Sequence, residues 1–561
     1  MGYLSTLFTF AGGIGMFLYG MNRMADGMQK TAGGKMKSLL GYLTRNRFLA
    51  VCVGALITAV IQSSGATTVM VVGFVNAGIM NLVQAVGVIM GANIGTTITA
   101  WIVSLGQLGE AVKAFNPSFY APLLIGIGAF VSIIAKKDKS KIIGEIVVGV
   151  GLLFEGLELM SSSVSAYTDA PIFSKAFQVV GSNPLLGILI GIIVTAILQS
   201  SSASVGILQT LALNGVVTTN AAIYITLGQN IGSCVTALIS SVGTSRTGKR
   251  AACIHLMFNV VGSLLFGVIA FVLFCIRPDI AVHNITPVEI SIFHTLFNIT
   301  CTTVMFPFAQ LLVKISGIII PEKNETAEGS EEAIDEAELE ISRHFDNRLM
   351  SQPAVALESA KSQVIAMARL AYDNIEYASR AVTENSTELV NVIYKTEKMV
   401  DYYTKYLTSY LIKINNLSMT DKQHYVVNNL FHTVIDLERI SDHAENFADL
   451  TRYKIENNMM FSEKGNDELR ELFSKVLLCL DRTIAARETL DIKAVKDVYR
   501  IEDEVDDLEE SLRNKHIERL SAGLCAAPNS VTFLDILTNL ERVSDHSKNI
   551  AECVSEEISS N

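Results

Sequence analysis

The chain is short of the features that mark most enzymes and secreted domains. Its eight cysteines (Cys52, Cys234, Cys253, Cys275, Cys301, Cys479, Cys525 and Cys553) are scattered, with no Cys-x-x-Cys pair. That spacing offers neither a zinc site nor a disulfide framework, and each thiol reads as a small buried apolar group. The apolar run at the N-terminus has no basic segment ahead of it and no small-residue cleavage site. It reads as a retained helix, not a leader. No Walker motif, catalytic triad or metalloprotease motif occurs in residues 1–320, and no nucleophile–base set is visible, so an enzyme is not expected. The basic residues sit in short loops between apolar runs, which argues against a nucleic-acid partner.

What the chain does have is apolar length and a split in charge. Half of its 561 residues are hydrophobic. Residues 1–320 hold 17 Lys and Arg against 9 Asp and Glu, whereas residues 321–561 hold 27 against 46. This divides the chain into a basic-looped membrane domain (1–320), an acidic linker (321–350) and an acidic soluble domain (351–561). Seven stretches, near 4–22, 82–104, 119–135, 142–160, 221–242, 251–276 and 290–318, are long enough to cross a bilayer. Two others, 48–80 and 184–215, are each a pair of apolar pieces split by Gln-Ser-Ser. A piece of about 14 residues rises only about 20 Å as a helix, short of the ~30 Å hydrocarbon core. A broken helix or re-entrant hairpin is expected at each.

The loops test that reading. Loop 23–47 carries Arg23, Lys30, Lys35, Lys37, Arg45 and Arg47; loop 136–141 carries four lysines; loop 243–250 carries Arg246, Lys249 and Arg250. Loops 105–118, 161–183 and 277–289 carry one basic residue each. Lys and Arg collect on the cytoplasmic side. With both Gln-Ser-Ser regions re-entrant, every basic loop falls inside. The N-terminus is then outside and the C-terminal domain cytoplasmic, in an inner-membrane protein. The two halves, about 4–135 and 142–276 with an extra helix at 290–318, enter the bilayer in opposite senses. That is the inverted-topology repeat of secondary transporters, whose sites lie near the midplane where broken helices meet.

The repeat is written in the motifs themselves. Gln62-Ser63-Ser64 recurs as Gln199-Ser200-Ser201, and Gly91-Ala92-Asn93-Ile94-Gly95-Thr96 recurs as Gly228-Gln229-Asn230-Ile231-Gly232-Ser233, both at an offset of 137. Gly15–Gly20 matches Gly151–Gly156 at an offset of 136. A Gln-Ser-Ser break frees hydroxyls, an amide and backbone N–H groups at membrane depth, where unsatisfied polar groups cost several kcal/mol. Helix N-termini suit an anion; freed carbonyls and hydroxyls suit Na⁺. The candidates are Gln62, Ser63, Ser64, Thr67 and Thr68 in one half, and Gln199, Ser200, Ser201, Ser202 and Ser204 in the other. Hydroxyls that glue helices together are the alternative. Asn93, Thr96, Asn230 and Ser233 mark a second break or a close helix approach, with ligand contact and tight packing both open. His255 with Asn259, and His294 with Asn298, share helix faces; interhelical hydrogen bonding is the expected role, with an ion or proton role as the alternative. Glu155 is an intramembrane acid and so a further candidate.

Duplicated Gln-Ser-Ser segments in inverted halves resemble the type II sodium/phosphate cotransporter family over most of residues 1–318. The resemblance implies sodium-coupled movement of inorganic phosphate by alternating access, with Na⁺ as coupling ion and the two segments forming the site. The chain lacks the long disulfide-bonded extracellular loop of animal members and adds a C-terminal domain, as in the bacterial branch. A phosphate leak, an exporter, or a membrane phosphate sensor is the competing reading.

From about residue 352 the pattern is amphipathic and helical, with only Pro353 and Pro528 interrupting it, and reads as a bundle of five or six helices. This part also repeats. Asp436–His443 matches Asn539–His546 at an offset of 103, each copy reading Leu-Glu-Arg-[Ile/Val]-Ser-Asp-His after its first residue. Glu397 with Asp401, Glu438 with Asp442, Glu502 with Asp506, and Glu541 with Asp545 are each spaced i, i+4, on one helix face. Two such helices per half can converge on a cation with oxygen ligands. Over about 352–555 these residues resemble PhoU, a phosphate-signalling regulator built from two three-helix bundles. That likeness implies metal sites (iron, zinc or magnesium) at those eight carboxylates and a regulatory role. A regulatory protein partner and a homodimer are compatible with it. The overall fold expected is all-α.

Overall fold

The computed structural model describes residues 2–43, 46–76, 80–105, 117–165, 171–321, 336–523 and 527–559. Among them every regular element is helical, with one isolated bridge between Thr218 and Asn284. The chain divides into two compact units, residues 1–328 and 329–561.

The first unit runs α1 (Gly2–Leu43), α2 (Arg47–Ile61), α3 (Ser64–Asn76), α4 (Leu82–Leu105), α5 (Pro117–Ile134), α6 (Asp138–Ser165), α7 (Pro171–Ser182), α8 (Pro184–Leu198), α9 (Ser201–Leu213), α10 (Thr219–Gly232), α11 (Cys234–Ser240), α12 (Arg246–Ile276), α13 (Pro278–Val282), α14 (Pro287–Met305) and α15 (Ala309–Ile319). The segments Leu4–Thr31, Leu82–Leu105, Thr219–Ser240, Arg246–Ile276 and Pro287–Ile319 are long and apolar enough to cross a bilayer. Lys175–Ser182 and Pro184–Leu198 form a further pair bent by 110°. Of the seven expected spans, 119–135 is a shorter apolar helix, and 142–160 lies in α6, which carries Glu145, Glu155 and Glu158. The basic segment expected as loop 23–47 is helical as far as Leu43. It contains no proline, and Met, Ala, Gln, Lys and Leu all favour helix. Phe119, Leu123, Phe130 and Ile133 on α5, and Val261, Leu264, Val268 and Phe271 on α12, are exposed at helical spacing. These are the faces that lipid covers.

The duplication extends to the packing. Asn46 caps α2 by accepting from Leu49 N, and Asn183, its counterpart in the second half, caps α8 by accepting from Leu185 and Leu186 N. A Cβ on Gly91 would stand 2.0 Å from the Val51 carbonyl oxygen, and one on Gly228 2.0 Å from the Ile188 oxygen. Gly54 against Val88 repeats as Gly191 against Ile225, and Gly95 against Ala55 as Gly232 against Ile192. Only glycine admits such backbone approach, so α2 packs on α4 as α8 packs on α10. The Gly-Ala-Asn-Ile-Gly and Gly-Gln-Asn-Ile-Gly motifs are these close approaches. In the first half α4 passes through its copy unbroken; in the second, α10 stops at Gly232. Between α1 and α6, Gly13 meets Gly156 and Gly20 meets Gly149.

In the second unit, α16 (Glu336–Arg343) precedes two sets of three helices. These are α17 (Pro353–Glu384), α18 (Thr387–Asn415) and α19 (Asp421–Glu456), then α20 (Glu463–Thr489), α21 (Ile492–Ser521) and α22 (Ala527–Ser559). Residues 322–335 of the expected linker lie outside the described residues. Glu338 of α16 accepts from Lys405 Nζ at 2.7 Å and from Tyr406 at 3.1 Å. Ser386, Thr420, Ser462 and Asp491 accept backbone N–H groups at the starts of α18 to α21, which fixes where each helix begins. Val390, Ile393, Val400, Leu407 and Leu411 of α18 are buried on one stripe. The repeats meet reciprocally: His443 Nδ1 lies 2.7 Å from Asn539 Oδ1, and His546 Nδ1 lies 2.9 Å from Asp436 Oδ1.

Candidate functional site

Both Gln-Ser-Ser segments break a helix in the same way. Gln62 ends α2 at φ 57° and ψ 22°, and Gln199 ends α8 at φ 50° and ψ 25°. This left-handed conformation is uncommon for a residue with a side chain and turns the chain sharply. The next serine caps the following helix: Ser63 Oγ accepts from Ala66 N at 3.1 Å, and Ser200 Oγ from Ala203 N at 3.2 Å. Helix geometry leaves the first N–H groups of α3 and α9, those of Ser64, Gly65, Ser201 and Ser202, without an intrahelical acceptor.

The two breaks meet. Ser64 Oγ and Ser201 Oγ are 3.4 Å apart, although they are far apart along the chain. A cavity of about 270 Å³ is lined by both segments, together with Leu18, Met21, Asn22 and Ala25 of α1, Ser233, and Thr236 of α11. That is several times the ~30 Å³ that one water occupies in the liquid, room for a tetrahedral oxyanion with part of its hydration. None of the described residues lining it carries an ionisable side chain. Its polarity comes from hydroxyls, amides and two helix N-termini, whose partial charges are positive.

Of the expected site residues, Gln62, Ser63, Ser64, Gln199, Ser200, Ser201, Ser202 and Ser233 line this cavity. Thr67, Thr68, Asn93, Thr96 and Asn230 are buried and turned to other partners. Thr67 and Thr68 donate to the carbonyls of Ser63 and Ser64. Asn93 and Asn230 donate to Ile89 and Thr226, each at 2.9 Å, and Thr96 to Ala92. Ser204 Oγ lies 2.9 Å from Gln229 Nε2. Asn259 and Asn298 donate to the carbonyls of His255 and His294, and His294 Nε2 lies 3.3 Å from Asn230 Oδ1. Glu155 is half-buried and absent from the cavity lining. Sequence reasoning missed Asn22 and Thr236. The repeat could have found the second, since Thr236 is the counterpart of Thr99 at the spacing of the two motifs, and Thr99 Oγ1 donates to Gln62 Oε1 at 2.8 Å.

The acidic residues gather in two clusters. Glu397 and Asp401 lie on α18 beside Glu438 and Asp442 on α19; Glu502 and Asp506 lie on α21 beside Glu541 and Asp545 on α22. In the second cluster, carboxylate oxygens of Glu502, Asp506 and Asp545 all fall within 4.8 Å of one another. Lys548 Nζ, 2.7 Å from Glu502, already neutralises part of it. The counterpart of Lys548 in the first repeat is Glu445, so the first cluster has an acid where the second has a cation. There, burial first, then Asp401, Glu445 and Asp442, push the Glu397 carboxyl up to about 7. Hard oxygen donors on two adjacent helices fit a divalent cation.

Fold and cavity define an all-helical membrane protein whose two helix breaks share one uncharged polar site, joined to a second unit of paired three-helix sets. A family model described as Na⁺/Pi-cotransporter matches residues 16–162 and 167–284, and a PhoU domain model matches 364–451 and 469–554. The chain belongs to the Na⁺/Pi-cotransporter family and carries a C-terminal PhoU domain. It is 24% identical to YjbB of Salmonella typhimurium over 98% of both chains; that protein's name provisionally assigns it inorganic phosphate export. It is 28% identical to YqeW of Bacillus subtilis over 56% of this chain and 99% of that one. It is also 38% identical to the human sodium-dependent phosphate transport protein 2B over 114 residues, 17% of this chain and 16% of that one.

Proposed function

We propose that the protein moves inorganic phosphate across the cytoplasmic membrane, coupled to Na⁺, by alternating access at the shared cavity. The observation that carries this is the meeting of the two Gln-Ser-Ser breaks, with Ser64 and Ser201 in contact across the cavity. Phosphate is held by the N–H groups of Ser64, Gly65, Ser201 and Ser202, by the serine hydroxyls and by the glutamine amides. Desolvating a doubly charged anion is costly, and the cavity lining offers no cationic side chain to offset it. A co-bound cation fills that need, which is the physical argument for sodium coupling. Hydroxyls and carbonyls freed by the breaks are suitable oxygen ligands for it.

The inverted arrangement draws support from α1 and α6. Gly13 and Gly149 are repeat mates, as are Gly20 and Gly156, and the contacts run Gly13 to Gly156 and Gly20 to Gly149. Reciprocal contacts in reversed order are those of antiparallel elements about a two-fold axis. The basic loops favour a cytoplasmic C-terminal unit and an external N-terminus. That unit acts as the PhoU-type regulator, its carboxylates Glu397, Asp401, Glu438, Asp442, Glu502, Asp506, Glu541 and Asp545 holding divalent cations. The name of the Salmonella relative favours net outward movement. In a coupled transporter the imposed gradients decide direction.

Flux of labelled phosphate, sulfate and arsenate in proteoliposomes, with and without a sodium gradient, tests the reading. Gln62→Ala and Gln199→Ala should each abolish most sodium-driven phosphate flux. Normal flux in both variants sinks the site assignment, and flux indifferent to sodium turns the transporter into a leak.

A further inference from the structure

We infer that Thr99 and Thr236 are positioning residues of two exchangeable latches on the glutamines, an inference that rests on the transport reading above. In the first half the latch is closed. Thr99 Oγ1 donates to Gln62 Oε1 at 2.8 Å, both residues are buried, and the Gln62 amide also donates to the Ala59 carbonyl. The counterparts in the second half are Thr236 and Gln199. Both line the cavity, Gln199 is exposed, and neither side chain has a hydrogen-bond partner among the described residues. One sequence, folded twice, therefore stands with one latch made and the other unmade.

The backbone at the two glutamines is already alike, so closing the second latch needs no change at the break itself. What differs is the helix that carries the threonine. Thr99 sits inside unbroken α4, whereas Thr236 sits on the short helix α11 beyond the interruption at Ser233. Thr236 now stands against the other half of the site: a Cβ on Gly65, in the first turn of α3, would lie 3.5 Å from its methyl group. Moving Thr236 onto Gln199 withdraws that methyl from the N-terminus of α3. Releasing Gln62 from Thr99 frees an amide on the same side. The state opposite to the observed one has Gln199 held by Thr236 and Gln62 released, so one latch closes as the other opens around the same ligand.

The threonines then bias the two states in opposite directions, which a merely structural role does not do. The reporter is Asn22→Cys, an exposed residue of the cavity lining, in a full-length chain in which Cys525 and, of the described thiols, exposed Cys52 and Cys275 and half-buried Cys553 are replaced by serine. A membrane-impermeant maleimide is applied to oriented vesicles from the side to which the observed cavity opens. Thr99→Val should slow labelling, by up to about fivefold where the opposite state predominates, the value of one hydrogen bond between states, while Thr236→Val should not slow it. Thr99→Ser keeps the hydroxyl and should restore the parent rate, which separates the latch from misfolding. Any other pattern, equal slowing by both valines above all, overturns the inference. Phosphate flux of the parent protein is read separately: its absence defeats the transport reading and leaves the labelling result standing by itself.

Discussion

A glutamine at positive φ, twice, is the smallest feature on which the site depends. Left-handed backbone with a side chain costs on the order of 1 kcal/mol or more and persists where the surroundings hold it. Gln199→Gly removes that cost and the amide together. We expect it to fold at least as well as the parent and to lose phosphate flux, measured by detergent-extracted yield and vesicle uptake. Flux near the parent level shows that the amide has no part in transport. Gly91→Ala and Gly228→Ala should instead destroy the folded yield, because each Cβ would collide with a carbonyl 2.0 Å away. Gly126→Ala, with nothing within 4 Å of its Cβ, is the control and should be neutral. The motifs were legible in the sequence because they repeat. The conformation of the glutamines was not, since propensity never points to Gln for this backbone. Asn93 and Asn230 stood out as polar in an apolar run, yet each donates its amide to its own helix, and the Asn230 oxygen faces His294 of α14.

At the scale of elements, α18 and α19 carry the clearest titration. The Glu397 carboxyl ionises near 4.5 in an unfolded chain and near 7 in this packing, because burial and neighbouring acids disfavour its charge. Between those values the unfolded chain holds fewer protons than the folded one, so stability falls as pH rises through that window. Hydrogen-exchange protection of α18 and α19, corrected for intrinsic rates, should fall from pH 4.5 to 7. Glu397→Gln should flatten the fall, and a divalent cation should reverse part of it. Protection independent of pH removes the argument. Helix positions were readable from apolar length and pattern, and so were the two interruptions at Gln-Ser-Ser. The extension of α1 to Leu43 was not, because clustered charge resembles a loop whether or not the backbone turns.

For the whole molecule, the charge split announces two parts, and the structure divides near the same place, at 328. The Bacillus relative is matched over 99% of its length by 56% of this chain. Residues 1–320 alone should therefore retain sodium-driven phosphate flux in proteoliposomes. Loss of all flux in a well-folded truncation would tie transport itself to the PhoU domain.

Ser64 touches Ser201, its own counterpart. In the proposed inverted arrangement a residue that meets its own mate lies on the axis relating the halves, so the cavity is centred on that axis. The oxygen framework of a tetrahedral anion has two-fold axes of its own. Seated on the centre of the proposed inverted arrangement, it would show the two halves equivalent pairs of oxygens, and the contacts of Gln62 and Gln199, not the ligand, would tell the two sides apart. Bound that way, the cargo carries no memory of the side from which it came.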